Sequence, residues 1–312
     1  MSSPSFAESE PEIPPVAVVG AGAVGTALAR QLVAVGAPVA AILSRRANAA
    51  AALAERVEAP VASDDVAALP GPARLVLLCV PDDAIADVAA TLATVDHPWE
   101  HTVAAHTSGA RTAADLEALA ERGASTCSVH PMQTFPDAAP PSAFEGIVIG
   151  IEGMETALDM GEALARRLGG IPVRLSAADK TRYHCAAALA SNGLVALMAA
   201  VRDVLAAVGI DADTARHLVR PLVAQTMANL EDDAPEAVLT GPVVRGDHGT
   251  VQAHLQALAD THPHLVALYA DLAEEMVGLA VREGRLEPES ADTFRTLLDA
   301  ARTTSPDGRR SC

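Results

Sequence analysis

Apolar residues in this chain fall first into short runs and later at helical spacing, and the change of period divides it. Short runs rich in Val, Ile, Leu and Ala predict strands at 15–19, 39–43, 74–80, 102–105, 124–129, 146–151 and 172–175. Between them, apolar residues three and four apart predict helices at 26–35, 47–56, 112–122 and 154–168, with another opening at Asp82-Asp83. Strands alternating with helices predict an α/β fold, a Rossmann-type doubly wound parallel sheet. Beyond Leu175 the period becomes helical for some 30 residues, 178–208. Further helices are predicted near 213–230, 250–258, 264–283 and 290–301, with no strand candidate among them. The expected order is a tail at 1–14, a sheet domain at 15–175, an all-helical domain at 176–303 and a tail at 304–312.

Composition narrows what such a molecule can do. Forty acidic residues against 22 basic ones give a net charge of −18, which repels phosphate backbones, so no nucleic-acid partner is expected. No uninterrupted apolar run reaches the roughly 18 residues that cross a bilayer, and the start of the chain lacks a signal-peptide pattern, so a cytoplasmic protein without a membrane partner is expected. Four cysteines show no CxxC pairing, and neither a disulfide framework nor a metal site is expected. Lys180 is the only lysine. Where Arg has replaced Lys everywhere else, the survivor draws notice, because only Lys can give up its proton near neutral pH.

The first predicted strand runs into Gly20-Ala21-Gly22-Ala23-Val24-Gly25 and then a helix. In that context GxGxxG marks a dinucleotide site. Gly20 permits the tight turn, Gly22 lets backbone approach a pyrophosphate, and Gly25 lets helix pack on strand. The helix start, Ala23 and Val24, offers N–H groups to the phosphates. The second strand ends in Ser44-Arg45-Arg46 instead of the acid that holds a ribose hydroxyl. A hydroxyl and two guanidinium groups suit a 2′-phosphate, so the expected cofactor is NADPH. Val80 and Pro81, at the end of the 74–80 strand, are expected near the nicotinamide ribose.

Ligands of open α/β sheets sit beyond the strands' carboxyl ends. Ser108 and His130 follow two of those ends, and Lys180 opens the long helix. Lys180, His184 and Ser191 share one helix face within about 40°. Asn192, about 120° away, joins them only if the helix bends near Gly193. Hydride transfer to a carbonyl needs a proton donor and groups that hold the substrate. Lys180 and His130 are candidates for the donor, while Ser108, His184 and Asn192 would orient the substrate. A glycine-rich connection, 240–250, is dense in donors. Thr240, Arg245, Asp247 and Thr250 are its candidates for a substrate carboxylate.

These motifs, with Cys-Val-Pro-Asp-Asp-Ala-Ile at 79–85, His-Thr-Ser-Gly-Ala at 106–110, His-Pro-Met-Gln-Thr-Phe at 130–135, Lys-x-x-Tyr-His at 180–184, Ala-Ser-Asn at 190–192 and Thr-Gly-Pro-x-x-Arg-Gly-Asp at 240–247, resemble one family. It pairs a Rossmann-like domain with the domain DUF2520 among NADP oxidoreductases. That family is similar to the 6-phosphogluconate dehydrogenase-like superfamily, with pyrroline-5-carboxylate reductase, ketopantoate reductase and prephenate dehydrogenase. The resemblance implies a helical substrate domain that forms a homodimer. It places Ser108 and His130 where prephenate dehydrogenases carry a catalytic Ser and His-Pro. The 240–250 loop resembles the carboxylate loop of pyrroline-5-carboxylate reductase. His184 stands where ketopantoate reductases have Asn, a departure from their Lys–Asn pattern. The expected function is NADPH-dependent reduction of a small 2-oxo acid such as ketopantoate. A prephenate dehydrogenase-like or pyrroline-5-carboxylate reductase-like enzyme is the alternative, and a non-catalytic NADPH sensor the alternative of another class.

Overall fold

The computed structural model describes residues 12–136 and 140–304. By contacts the chain divides into two compact units, Met1–Asn192 and Gly193–Cys312. The first unit follows the order β1 (Val16–Val19), α1 (Ala23–Ala34), β2 (Val39–Leu43), α2 (Ala47–Val57), β3 (Val61–Ser63), β4 (Leu75–Leu78) and α3 (Ile85–Ala93). It continues with β5 (Val103–His106), α4 (Glu117–Ala120), β6 (Ser125–Pro131), β7 (Val148–Gly153), α5 (Glu155–Arg167), β8 (Ile171–Arg174) and α6 (Lys180–Ala188). The strands form one sheet in the order β3-β2-β1-β4-β5-β6-β7-β8. Alternation along β1 sends Val16 and Val18 to one face and Ala17 and Val19 to the other. Helices α1, α2 and α5 cover the first face, α3 and α4 the second, as a doubly wound sheet requires.

The sheet is mostly parallel, which corrects the wholly parallel sheet expected from the alternation. β7 runs antiparallel to β6, and β8 follows β7. A parallel return needs a crossover, usually a helix. Between β6 and β7 the described residues hold only the 3₁₀ turn Pro141–Phe144, so the chain turns back on itself. The loop expected at 137–142 lies partly outside the described residues. Two further differences have local causes. β3 is three residues long, too short for a pattern to show, and the helix expected at 112–122 is a 3₁₀ turn, Ala113–Leu116, followed by the four-residue α4. The terminal tails fall largely outside the described residues.

The second unit is helical: α7 (Leu194–Ala206), α8 (Ala212–Asp232), α9 (Pro235–Val238), α10 (His248–Thr261), α11 (Val266–Arg282) and α12 (Pro288–Thr304). Its core is made by the last three of these, with Val251, Val266, Ala273, Val277, Phe294 and Leu298 buried. Helices α7 and α8 instead leave Val195, Leu218, Leu222 and Met227 exposed, Val195 and Leu222 at 69% each. The pattern puts the change of character at Ser176, where strands stop. The contacts put it at Gly193, because α6 is tied to the sheet through Lys180. The helical stretch Lys180–Ala206, with a mean hydropathy of 1.6, is long and apolar enough to cross a membrane by length and composition. No apolar run of 18 residues lies within it, because Ser191-Asn192-Gly193 breaks the run, and a π-turn at Leu189–Gly193 carries the helix through that break.

Candidate active site

β1 to β6 share one direction, so their carboxyl ends line one edge of the sheet, and the site residues of this unit are strung along it. At β1 the edge is bare backbone. Gly20 has φ +113°, where a side chain is strained, and its N–H donates to the Leu43 carbonyl at 2.7 Å. A Cβ on Gly20 would stand 2.2 Å from the Cys79 carbonyl oxygen, and one on Gly25 1.9 Å from that of Gly20. Gly22 is the opposite case, with nothing within 4 Å of the Cβ position. It caps α1 without any side-chain hydrogen bond, so the first N–H groups of the helix, at Ala23 and Val24, meet no side-chain acceptor there.

A cavity of about 660 Å³ opens over this loop, lined among others by Gly20, Gly22, Ser44, Arg45, Val80 and Pro81. Arg46 lines it too. Its guanidinium donates to the Ala21 carbonyl at 3.3 Å and so spans from the end of β2 to the glycine loop. Bare helix N–H groups, an open glycine and two arginines in one cavity fit a dinucleotide that carries an extra phosphate. Sequence reasoning missed two carboxylates in the same lining, Asp64 after β3 and Asp87 on α3. The first follows a strand too short to be predicted. Cys79 is buried, its thiol pushed up to about 12 by desolvation, and is no nucleophile.

At β5 and β6 the edge is crowded with side chains. His106, the last residue of β5, is the register partner of Ser128 in the middle of β6. His106 Nδ1 accepts from the Ser108 N–H at 3.2 Å, and Nε2 pairs with the Thr112 carbonyl at 2.9 Å, which fixes the Nε2–H tautomer. Burial, with the Lys180 charge nearby, holds this imidazole down to about 4, so it is neutral and structural. Ser108 is buried, and its Oγ accepts from the N–H groups of Ala110 and Arg111 at 3.2 and 3.0 Å.

Lys180 is 1% exposed. Its Nζ donates to the Ser108 carbonyl at 2.8 Å and, in a short contact, to Ser128 Oγ, which in turn leans on the same carbonyl at 3.5 Å. Burial lowers its pKa to about 8, while Glu152 and Asp82 pull the other way. Glu152 is itself buried and accepts from the Ala113 N–H at 2.9 Å. The lysine therefore ties the first turn of α6 to the loop after β5 and to the middle of β6.

Above that tie stand two imidazoles. A Cβ on Gly109 would lie 2.5 Å from His184 Nδ1 and 2.7 Å from His130 Nε2, so both nitrogens converge on the one position in this loop that carries no side chain. The rings meet edge to face with centroids 5.8 Å apart, and Tyr183 packs on His130 at 5.6 Å. Nδ1 of each histidine is buried without a protein partner. His130 is held down to about 4, first by burial and then by the charges of Lys180 and His184. Asn192 lies exposed in the π-turn. The π-turn interrupts the α-helical spacing on which the face of Lys180, His184 and Ser191 was read.

The structure thus brings Ser108, His130, Lys180 and His184 together. Gly109 and Ser128 were missed by sequence reasoning. Ser128 had a signal, since it lies two residues before His130 on the same strand face. Thr240, Arg245, Asp247 and Thr250 belong to the helical unit. There Asp247 caps α10, accepting from the Thr250 N–H at 3.0 Å and hydroxyl at 2.7 Å. Val243 is buried in the unit's core, whereas Thr240 and Arg245 are exposed. Asp247 and Thr250 shape the loop, and the Arg245 charge helps to hold the Asp247 carboxyl low.

Residues 4–131 match the model of the Rossmann-like domain, and residues 147–276 match that of a domain of unknown function, DUF2520. The chain is a Rossmann-like protein with a DUF2520 domain. Among solved structures, a candidate NADP oxidoreductase of Bacteroides fragilis is 25% identical, with 85% of this chain and 98% of that one covered and a TM-score of 0.69. A reductive aminase of Aspergillus terreus, solved with NADPH, is 21% identical, with 93% of each chain covered and a TM-score of 0.57. A pyrroline-5-carboxylate reductase of Coxiella burnetii is 15% identical, with 92% and 99% covered and a TM-score of 0.57. No curated protein sequence matches the chain. This Rossmann-like DUF2520 protein has the fold of NADP-dependent oxidoreductases.

Proposed function

We propose that this NADP-dependent oxidoreductase reduces a small 2-oxo acid, with ketopantoate the first to try, as a cytoplasmic homodimer. Gly20, Gly22, Gly25 and the start of α1 hold the pyrophosphate, and Ser44, Arg45 and Arg46 the 2′-phosphate. NADPH, when bound, supplies a hydride. The observation that carries the reading is the convergence of His130 Nε2 and His184 Nδ1 over Gly109, on the carboxyl edge of the same sheet that carries the glycine loop. Two ring nitrogens aimed at one point suit an oxygen that gains charge as a carbonyl is reduced. Arg245 is the group assigned to the substrate carboxylate. The test follows NADPH consumption with a panel of small 2-oxo acids, alongside a cyclic imino acid and prephenate. Turnover of 2-oxo acids with formation of the 2-hydroxy acid supports the reading. Turnover of the imino acid or prephenate alone replaces it, and NADPH binding with no turnover makes the protein a sensor. Arg245→Ala should raise KM about tenfold or more and leave NADPH affinity unchanged, and a weaker hold on NADPH would contradict the assignment.

The dimer rests on α7 and α8, whose exposed Val195, Leu218, Leu222 and Met227 give the helical unit an apolar surface that a partner copy would cover. Light scattering on a sizing column should give a dimer for the native chain and a monomer for the double variant Val195→Asp, Leu222→Asp. A native monomer would refute it.

A further inference from the structure

Three ionisable side chains surround Gly109, and the structure gives them different freedoms. Lys180 is enclosed, with Nζ bonded to the Ser108 carbonyl and Ser128 Oγ. Two of its three N–H donors are spent on these acceptors, and its 1% exposure leaves the third no open path to a substrate. Its removal would also cut the tie from α6 to the loop on which both imidazoles converge. His130 is pinned by Tyr183 on one side and His184 on the other. The titratable groups that face it are Lys180 and His184 on α6, His106 on β5 and Asp82 after β4, while Glu152 on β7 and Cys127 on β6 interact with Lys180. Burial first, and then the Lys180 charge, hold the His130 ring down to about 4. His184 is half-exposed, and its Nδ1, without a protein partner, points to the same position as His130 Nε2.

We propose that His184 is the proton donor of the reaction, that His130 is the hydrogen-bond donor that polarises the same substrate oxygen, and that Lys180 is a positioning residue beneath them. This rests on the carbonyl-reduction reading above. Once the carbonyl carbon has gained the hydride, its oxygen carries the charge. The Nδ1–H bond of His184 then breaks, an O–H bond forms, and the imidazolium is left neutral, to be recharged from solvent. His130 keeps its proton throughout. Gly109 is the condition for this arrangement, because any side chain there would stand between the two nitrogens.

The test has one arm that needs no substrate. NMR titration of the ring signals, in the NADPH-bound full chain, should show His184 taking up a proton at higher pH than His130. Lys180→Met should move the His130 midpoint upward by removing the buried charge. If His130 protonates before His184, or Lys180→Met leaves its midpoint in place, the assignment is wrong whatever the substrate. In the kinetic arm, His184→Gln should cut kcat about 10²-fold, the usual scale of acid catalysis, and remove the limb of the pH profile set by His184. NADPH affinity should hold. Full kcat in His184→Gln would overturn the proposal. Should Lys180→Met fail to fold, the His184→Gln profile and the order of protonation in the native chain decide alone. Failure of every substrate on the panel strikes the functional reading, while the order of protonation still judges the roles assigned here.

Discussion

The carboxyl edge of the sheet is built from opposite materials at its two halves. At β1 and β2 it is made by omission: glycines, bare helix N–H groups and a cavity with arginines on its lining. At β5 and β6 it is packed with His106, Ser108, Ser128, His130 and the inserted Lys180, nearly all hydrogen-bonded to one another or crowded together. The first half offers open backbone, which a phosphate ester can use. The second presents titratable groups whose charge depends on what encloses them. A substitution in the first half should therefore act through space and dihedral angle, and one in the second through protonation.

The sharpest way to break that contrast lies in the glycines. Gly20→Val or Gly25→Val should abolish measurable NADPH binding and lower Tm, because each Cβ meets a carbonyl oxygen at about van der Waals overlap, 2.2 and 1.9 Å. Gly22→Ala should leave Tm in place, since its Cβ meets nothing in the protein, and weaken NADPH roughly tenfold by titration calorimetry. A fall in Tm for Gly22→Ala, or unchanged affinity, would show that the loop is a structural turn.

A smaller effect sharpens the other half. His106 and His130 titrate near 4 in the folded protein and near 6.5 when unfolded, and His97 is shifted in the same direction by burial. The unfolded chain thus binds more protons between about pH 6.5 and 4, so stability rises with pH there and falls as pH drops through it. Each fully neutral histidine contributes on the order of a few kcal/mol above that window. Tm should drop steeply from pH 7 to pH 4.5, and less so in His106→Gln. A flat Tm over that range would mean that these rings carry charge in the folded state. The smallest effect belongs to the helical unit: Asp247→Ala, which removes the cap of α10, should cost about 1 kcal/mol by denaturant unfolding. No loss would mean that Asp247 is held for a ligand and not for the helix.

How far each half could be read in the sequence follows from the same difference. Gly20, Gly22 and Gly25 declare themselves by spacing, because their task is set by residues next to them in the chain. Ser44-Arg45-Arg46 declares itself by the acid that is missing. Lys180 is visible as the only lysine, but its burial is not, since that depends on α6 meeting β5 and β6 across 72 and 52 residues of chain. Glycine at 109 looks ordinary in sequence and becomes meaningful only when two histidines from distant segments point at it. The reversal of β7 was hidden for another reason: apolar alternation has the same period in either strand direction.

The proposed function turns on NADPH held at this carboxyl edge, with Arg45 and Arg46 on its 2′-phosphate. Titration calorimetry with NADPH and NADH, on the native chain and on the double variant Arg45→Ala, Arg46→Ala, tests it most directly. NADPH should bind at least about tenfold tighter than NADH to the native chain. The variant should lose about 1–3 kcal/mol for NADPH and keep its affinity for NADH. Equal binding of the two cofactors, or an equal loss for both, would contradict the account.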